Sequence, residues 1–158
     1  MSSSPLPRGY RDHLEADLEA LIATSMTATL LLTTLPDGWP HVAYLGPAEI
    51  TELADGQLGL AVWAASRSTD AVLRSRLCTL QWVDDGTPLL VRLKVLEDVP
   101  LTVDGQDLVA LRSRVAEVHE DRVPYASVEA GLRFRIDDYG EVLARWQRTR
   151  SALRQAFA

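Results

Sequence analysis

The sequence holds one cysteine, Cys78, in 158 residues, so no disulfide can form within the chain. Its setting, Leu77-Cys78-Thr79-Leu80, is apolar and reads as a small buried side chain. Positive charge is also scarce: 16 Lys and Arg stand against 22 Asp and Glu, a formal net charge of −6. That balance argues against nonspecific nucleic-acid binding, where a basic face neutralises phosphates, and against anionic membrane surfaces. No apolar run approaches the roughly 18–20 residues that span a bilayer, and Met1-Ser2-Ser3-Ser4-Pro5 lacks a basic segment followed by an apolar one. The expectation is a cytoplasmic protein that engages neither membrane nor nucleic acid.

Several catalytic signatures are missing as well. There is no Rossmann glycine pattern and no P-loop lysine motif. His13, His41 and His119 lie far apart, without a Cys or His partner at metal-ligand spacing. His13 and Asp17 are four apart on an expected helix, which reads as a solvated helical face rather than a metal site. No serine sits in a nucleophile elbow, and Cys78 has no evident activating base. Hydrolase chemistry finds no support.

What is present is a globular composition, 47% hydrophobic and 24% charged, in a chain long enough for one core. Residues 1–11 are Ser/Pro/Gly-rich and expected to be flexible, leaving one domain over 12–158. Leu14, Leu18, Leu21 and Ile22 follow helical spacing from Asp12 to Ser25, with Asp12 as a candidate cap. Strand-like runs follow at about 27–35, 41–53, 57–65, 78–84 and 88–99, broken at Pro36-Asp37-Gly38, Asp55-Gly56 and Asp85-Gly86. Asp-Gly between β-prone runs is a strong hairpin signal. Pro40 and Pro47 belong at a strand start, bulge or edge. Past Asp104, Leu108, Leu111, Val115 and Val118 are spaced as a helical stripe. Leu132 to Ile136 alternates like a half-exposed strand, and Val142, Leu143, Trp146, Leu153 and Phe157 suggest a terminal helix. The pattern predicts an α+β, mainly antiparallel split barrel or curved sheet of about six strands with flanking helices.

One stretch carries candidate chemistry. Strand 57–65 leads into Ser66-Arg67-Ser68-Thr69 and then a short helix from Thr69 to Ser75. A guanidinium fork, hydroxyls and helix N-terminal amides are the donors that hold a phosphate. The same residues equally describe a capped helix, with Ser68 or Thr69 at the cap and Arg67 in solvent.

The order of these parts resembles the FMN-binding split-barrel superfamily, and within it the pyridoxamine 5'-phosphate oxidase-related proteins. The resemblance rests on a strand ending in Thr33-Thr34, the turn Pro36-Asp37-Gly38-Trp39-Pro40-His41-Val42, Asp55-Gly56, then Ser66-Arg67, a short helix and Cys78-Thr79-Leu80-Gln81. It covers roughly residues 12 to 100. It implies FMN as cofactor, bound between the subunits of a homodimer with its phosphate near Ser66, Arg67, Ser68 and Thr69, and a small-molecule substrate. Trp63, His41 and Thr33 join that segment as candidate cofactor contacts, with Trp39 a further stacking candidate. Two cations of the pattern are absent: Ser68 stands where a lysine is expected, and Ala43 where the oxidases carry an arginine. Arg74, Arg76, Arg92 or Lys94 could compensate. The resemblance thus implies a flavin-dependent oxidoreductase acting on an unidentified molecule. The alternative is a non-catalytic module on the same fold, with weak or lost FMN affinity or with haem or a deazaflavin bound instead. A third reading is a structural dimer built on the C-terminal helix.

Overall fold

The computed structural model describes residues 4–24 and 26–158. One antiparallel sheet organises them, in the strand order β2-β1-β5-β6-β7-β4-β3, with β8 paired to β1. The strands are β1 (Thr27–Thr34), β2 (Pro40–Leu45), β3 (Ile50–Glu52), β4 (Leu58–Trp63), β5 (Leu77–Asp84), β6 (Thr87–Val103), β7 (Gln106–Glu120) and β8 (Leu132–Arg133). Four helices flank them: α1 (Arg8–Glu15), α2 (Leu18–Thr24), α3 (Arg67–Ser75) and α4 (Tyr139–Ala156). The α+β, mainly antiparallel expectation holds, with eight strands in place of about six.

Each extra strand has a local cause. The run expected over 41–53 breaks at Pro47, which starts a 3-10 turn over Pro47–Glu49, since proline cannot donate to a ladder. β2 then pairs with β1 and β3 with β4, at opposite ends of the sheet. The helical stripe expected beyond Asp104 is instead β7, entered through the turn Asp104-Gly105. Asp104 (φ 51) and Gly105 (φ 77) both adopt the left-handed region, as a two-residue hairpin turn requires. The helix-like spacing has two sources. Leu108 and Leu111 point to opposite faces, into different apolar clusters. Between Val115 and Val118, one residue is bulged: Leu93 pairs with Val115 and Arg92 with Glu117, leaving Ala116 over.

The long β6–β7 hairpin holds the fold together. β5 pairs with β6 along Thr87–Lys94, and β4 pairs with β7 along Leu108–Ser113. Register shifts at Arg92/Leu93 and Val95/Glu97 bend the hairpin between these two halves. Its inner face closes on Leu31, Ile50, Leu58, Leu60, Leu80, Val91, Leu93 and Leu111, all at most 1% exposed. Full burial of such a side chain stabilises by about 1.5–3 kcal/mol.

The helices cap this core. The expected helix from Asp12 to Ser25 is two helices, because Ala16 is extended (φ −61, ψ 151); Ser25 itself lies outside the described residues. α1 begins at Arg8 behind Pro7 rather than at Asp12. Within the segment 1–11 expected to be flexible, Leu6 and Tyr10 enter the main core; residues 1–3 lie outside the described residues. Tyr10 stacks on Trp82 with centroids 4.9 Å apart and shares a 2.9 Å hydrogen bond with Thr29 Oγ1. α4 buries Trp146 against Leu18, Met26 and Ala48, and Leu153 against Ala61, Val103, Leu108 and Ala110. Among the described residues, no helix is long and apolar enough to cross a membrane.

Candidate functional site

The Ser66–Thr69 segment is first of all a helix cap. Ser66 is the N-cap of α3, with extended backbone (φ −106, ψ 152), and its Oγ accepts from the Thr69 amide at 3.0 Å. Thr69 Oγ1 donates to the Trp63 carbonyl at 2.6 Å. With that proton used, the 2.8 Å contact between Ser66 Oγ and Thr69 Oγ1 has Ser66 as its donor. Both hydroxyl protons are thus engaged inside the cap. Ser68 and Thr69 are buried, at 3% and 1% exposure.

What the segment presents outward is Arg67. Its side chain is exposed and, among the described residues, makes no hydrogen bond or ion pair. It lines a cleft of about 270 Å³ between α3 and the β1–β2 turn, together with Arg74, Asp70, Leu35, Pro36 and Asp37. The amides of Arg67 and Ser68 belong to the first turn of α3, where no helical carbonyl reaches them. Guanidiniums and helix N-terminal amides are both anion-binding groups, with Arg67 in the first turn of α3 and Arg74 in its last. The carboxylates of Asp70 and Asp37 on the same cleft oppose an anion. Of the four compensating cations considered from the sequence, only Arg74 joins Arg67 here. Arg76 is paired with Asp98 at 2.6 Å and Arg92 with Glu117 at 3.0 Å.

Thr33 and His41 share the core face of the same hairpin with Leu31 and Ala43. They face each other in the β1–β2 register. Thr33 lines a larger groove of about 690 Å³ with Thr34, Pro40, Leu77, Cys78, Arg92 and Lys94, and none of these residues lines the Arg67 cleft. Trp63 stands elsewhere. It shares the face of β4 that carries Ala61, away from the barrel interior, and is 54% exposed. Trp39, in the turn, is 71% exposed. The structure therefore divides the sequence candidates into a cleft around Arg67, a groove around Thr33 beside His41, and an outlying Trp63.

Three electrostatic features were not legible from sequence. Burial pushes the Cys78 thiol up to about 12, which keeps it a protonated apolar group on the groove floor. Burial also lowers His13 to about 4, with help from Arg150, and its ring lies 4.7 Å from that of Trp82. Burial raises Glu49 to about 7 against the opposing Gly46 amide and Arg145.

No family model matches the chain. Among curated proteins, uncharacterized protein YclD of Bacillus subtilis (strain 168) is 28% identical over 128 residues, which are 81% of this chain and 83% of that protein. Among solved structures, an F420 reductase superposes with a TM-score of 0.55 at 18% identity, covering 72% of this chain and 98% of that one. The styrene monooxygenase flavin reductase of Pseudomonas putida S12 gives 0.50 at 11% identity, covering 67% and 86%. The antiparallel sheet with its flanking helices is the split-barrel fold of flavin reductases.

Proposed function

We propose that this protein binds FMN and acts as a flavin-dependent oxidoreductase of the pyridoxamine 5'-phosphate oxidase-related group, moving hydride to or from a small molecule. The observation that carries the reading is the pair of unpartnered guanidiniums on one cleft of a split-barrel sheet, Arg67 in the first turn of α3 and Arg74 in its last. Arg67 and the Arg67 and Ser68 amides would hold the flavin phosphate, with Arg74 two turns on along the same cleft. Arg74 takes over a charge that Ser68 and Ala43 do not supply. When bound, the flavin ring provides the hydride-accepting centre, and the chain contributes binding, orientation and shielding. That division of labour suits a fold whose groove holds no activated nucleophile.

The resemblance also supports a homodimer with the flavin between subunits. β2 is a sheet edge whose outer face carries Val42 at 45% and Tyr44 at 64% exposure, a surface a second copy would cover. The buried single thiol suits a reducing cytoplasm.

A visible spectrum of the purified protein mixed with FMN, before and after dithionite, tests the cofactor. Bound oxidised-flavin absorbance that bleaches on reduction, with a rise in Tm, is the expected result. Absence of both overturns the reading. A second reading, a non-catalytic module with lost FMN affinity or holding haem or a deazaflavin, is favoured by one observation: the Ser66 and Thr69 hydroxyl protons are engaged in the cap. A tight apo dimer indifferent to FMN would select it.

A further inference from the structure

The β1–β5 ladder stops one rung short. It pairs Leu30 with Gln81, Leu31 with Leu80 and Leu32 with Thr79, and the same register would bring Thr34, the end of β1, opposite Leu77, the start of β5. The backbone at both positions is turned toward that rung. Leu35 N–H donates to the Trp39 carbonyl at 2.9 Å, which makes these two a hydrogen-bonded pair of the β1–β2 hairpin. Bonded and non-bonded pairs alternate along an antiparallel ladder. Thr34, opposite Pro40, therefore turns its amide and carbonyl away from β2 and toward β5, where no ladder bond meets them.

Leu77 has found a substitute. Its amide donates to Ser75 Oγ at 3.1 Å, and Ser75 Oγ is placed to donate to its carbonyl, also at 3.1 Å. One hydroxyl, on the last residue of α3, thus holds both backbone groups that a rung to Thr34 would use. The Ser75 proton has a second acceptor in the Ala71 carbonyl at 3.0 Å, so the hydroxyl stays satisfied when it releases Leu77. Arg76, between them, adopts the left-handed region (φ 61), and its carbonyl accepts from Val95 N–H at 2.9 Å. That bond ties the start of β5 to β6 and leaves the exposed end of β1 as the part that moves.

We propose that the β1–β5 seam is a two-state latch. In the open state, seen here, Ser75 holds Leu77; in the closed state Thr34 holds Leu77 and Ser75 keeps Ala71. Closing trades water on the exposed Thr34 backbone for protein partners, and the net gain of such an exchange is small, so neither state is locked. Thr34, Ser75 and Leu77 all line the groove of about 690 Å³. Closing draws Thr34 across its end, so the latch sets the width of the groove, and a molecule lodged there favours the open state by its differential affinity. The latch does not rest on the flavin reading.

Amide hydrogen exchange, followed by NMR on the full chain, tests it. Ser75→Ala removes the substitute and makes the rung the preferred arrangement, so the Thr34 amide should exchange about tenfold more slowly than in the unaltered chain. Thr34→Pro deletes the amide that closing needs. Because that amide has no ladder partner in the open state, the variant should melt within about 2 °C of the unaltered chain. Ser75→Ala should then lower Tm more in the Thr34→Pro chain than by itself, since no rung can replace the lost hydroxyl. A Thr34 amide that exchanges equally fast with and without Ser75 overturns the latch, and so do Tm losses that simply add in the double variant. If Thr34→Pro does not fold, the exchange comparison decides alone.

Discussion

Arg150 Nη1 donates to the Ala16 carbonyl at 2.7 Å, across 134 positions of sequence. Its Nη2 donates to the Pro47 carbonyl at 3.2 Å, and its Nε is buried without a partner. One guanidinium, 8% exposed, thus ties α4 to the break between α1 and α2 and to the 3-10 turn between β2 and β3. Burial, with Arg154 nearby, lowers its pKa.

Replacing Arg150 by Met removes both donors and also relieves a desolvated charge. Hydrogen bonds from a charged donor contribute about 1.5–3 kcal/mol each, so after that relief a net loss of about 2–3 kcal/mol is expected. Urea denaturation should show a lower midpoint with an unchanged m-value.

His13 and Glu49 make opposite demands on pH. His13 falls from its ordinary 6.5 to about 4 in the fold. Between those values the unfolded chain binds the proton and the folded one does not, so stability is lost as pH falls through the window. Glu49 rises from 4.5 to about 7. There the folded chain keeps the proton, so stability is lost as pH rises. Each slope is about 1.4 kcal/mol per pH unit, and between pH 4.5 and 6.5 the two cancel. His13→Gln should make the protein lose stability with rising pH there, and Glu49→Gln should make it gain. Denaturation curves at four or five pH values check both signs.

Gly105, at φ 77 in the β6–β7 turn, has nothing within 4 Å of where a Cβ would lie. Gly105→Val therefore meets only backbone strain, and should lower stability by about 1–2 kcal/mol without altering the near-ultraviolet spectrum.

That turn also shows what the sequence displayed and what it hid. Asp104-Gly105 carries the same signal as Asp37-Gly38, Asp55-Gly56 and Asp85-Gly86, yet the helix-like spacing of Leu108, Leu111, Val115 and Val118 points the other way. A bulge at Ala116 and burial on both faces of β7 produce that spacing, and both are tertiary facts. The antiparallel class, α3 and α4 were legible because turn chemistry and amphipathic period agree with the final packing. The site was legible only in part. Arg67 was visible in Ser66-Arg67, whereas its neighbour Arg74 depends on how α3 meets the β1–β2 turn. Arg150 looked like one arginine of a helix face, and only the position of Ala16 and Pro47 gives it a role.

The Arg67 cleft yields a graded test. Arg67→Ala should weaken FMN binding about tenfold, somewhat less than the full value of a charge-assisted contact because the side chain is exposed. Asp70→Asn, which removes an opposing carboxylate, should tighten it several-fold. Ser66→Ala should instead cost about 1 kcal/mol of stability, as loss of an N-cap does, and change FMN affinity by less than about twofold. Fluorescence quenching of free FMN reports the affinities, and thermal melts the stability.

The three-pair ladder between β1 and β5 has a kinetic consequence. β5, β6 and β7 follow one another through two-residue turns, Asp85-Gly86 and Asp104-Gly105, so this meander can zip up from neighbours in sequence. The β1–β5 seam must bring Leu30 to Gln81, a far longer chain closure whose entropy is recovered late. The seam therefore knits after the meander, as do the pairings of β4 with β7 and of β8 with β1, which join residues similarly far apart or farther.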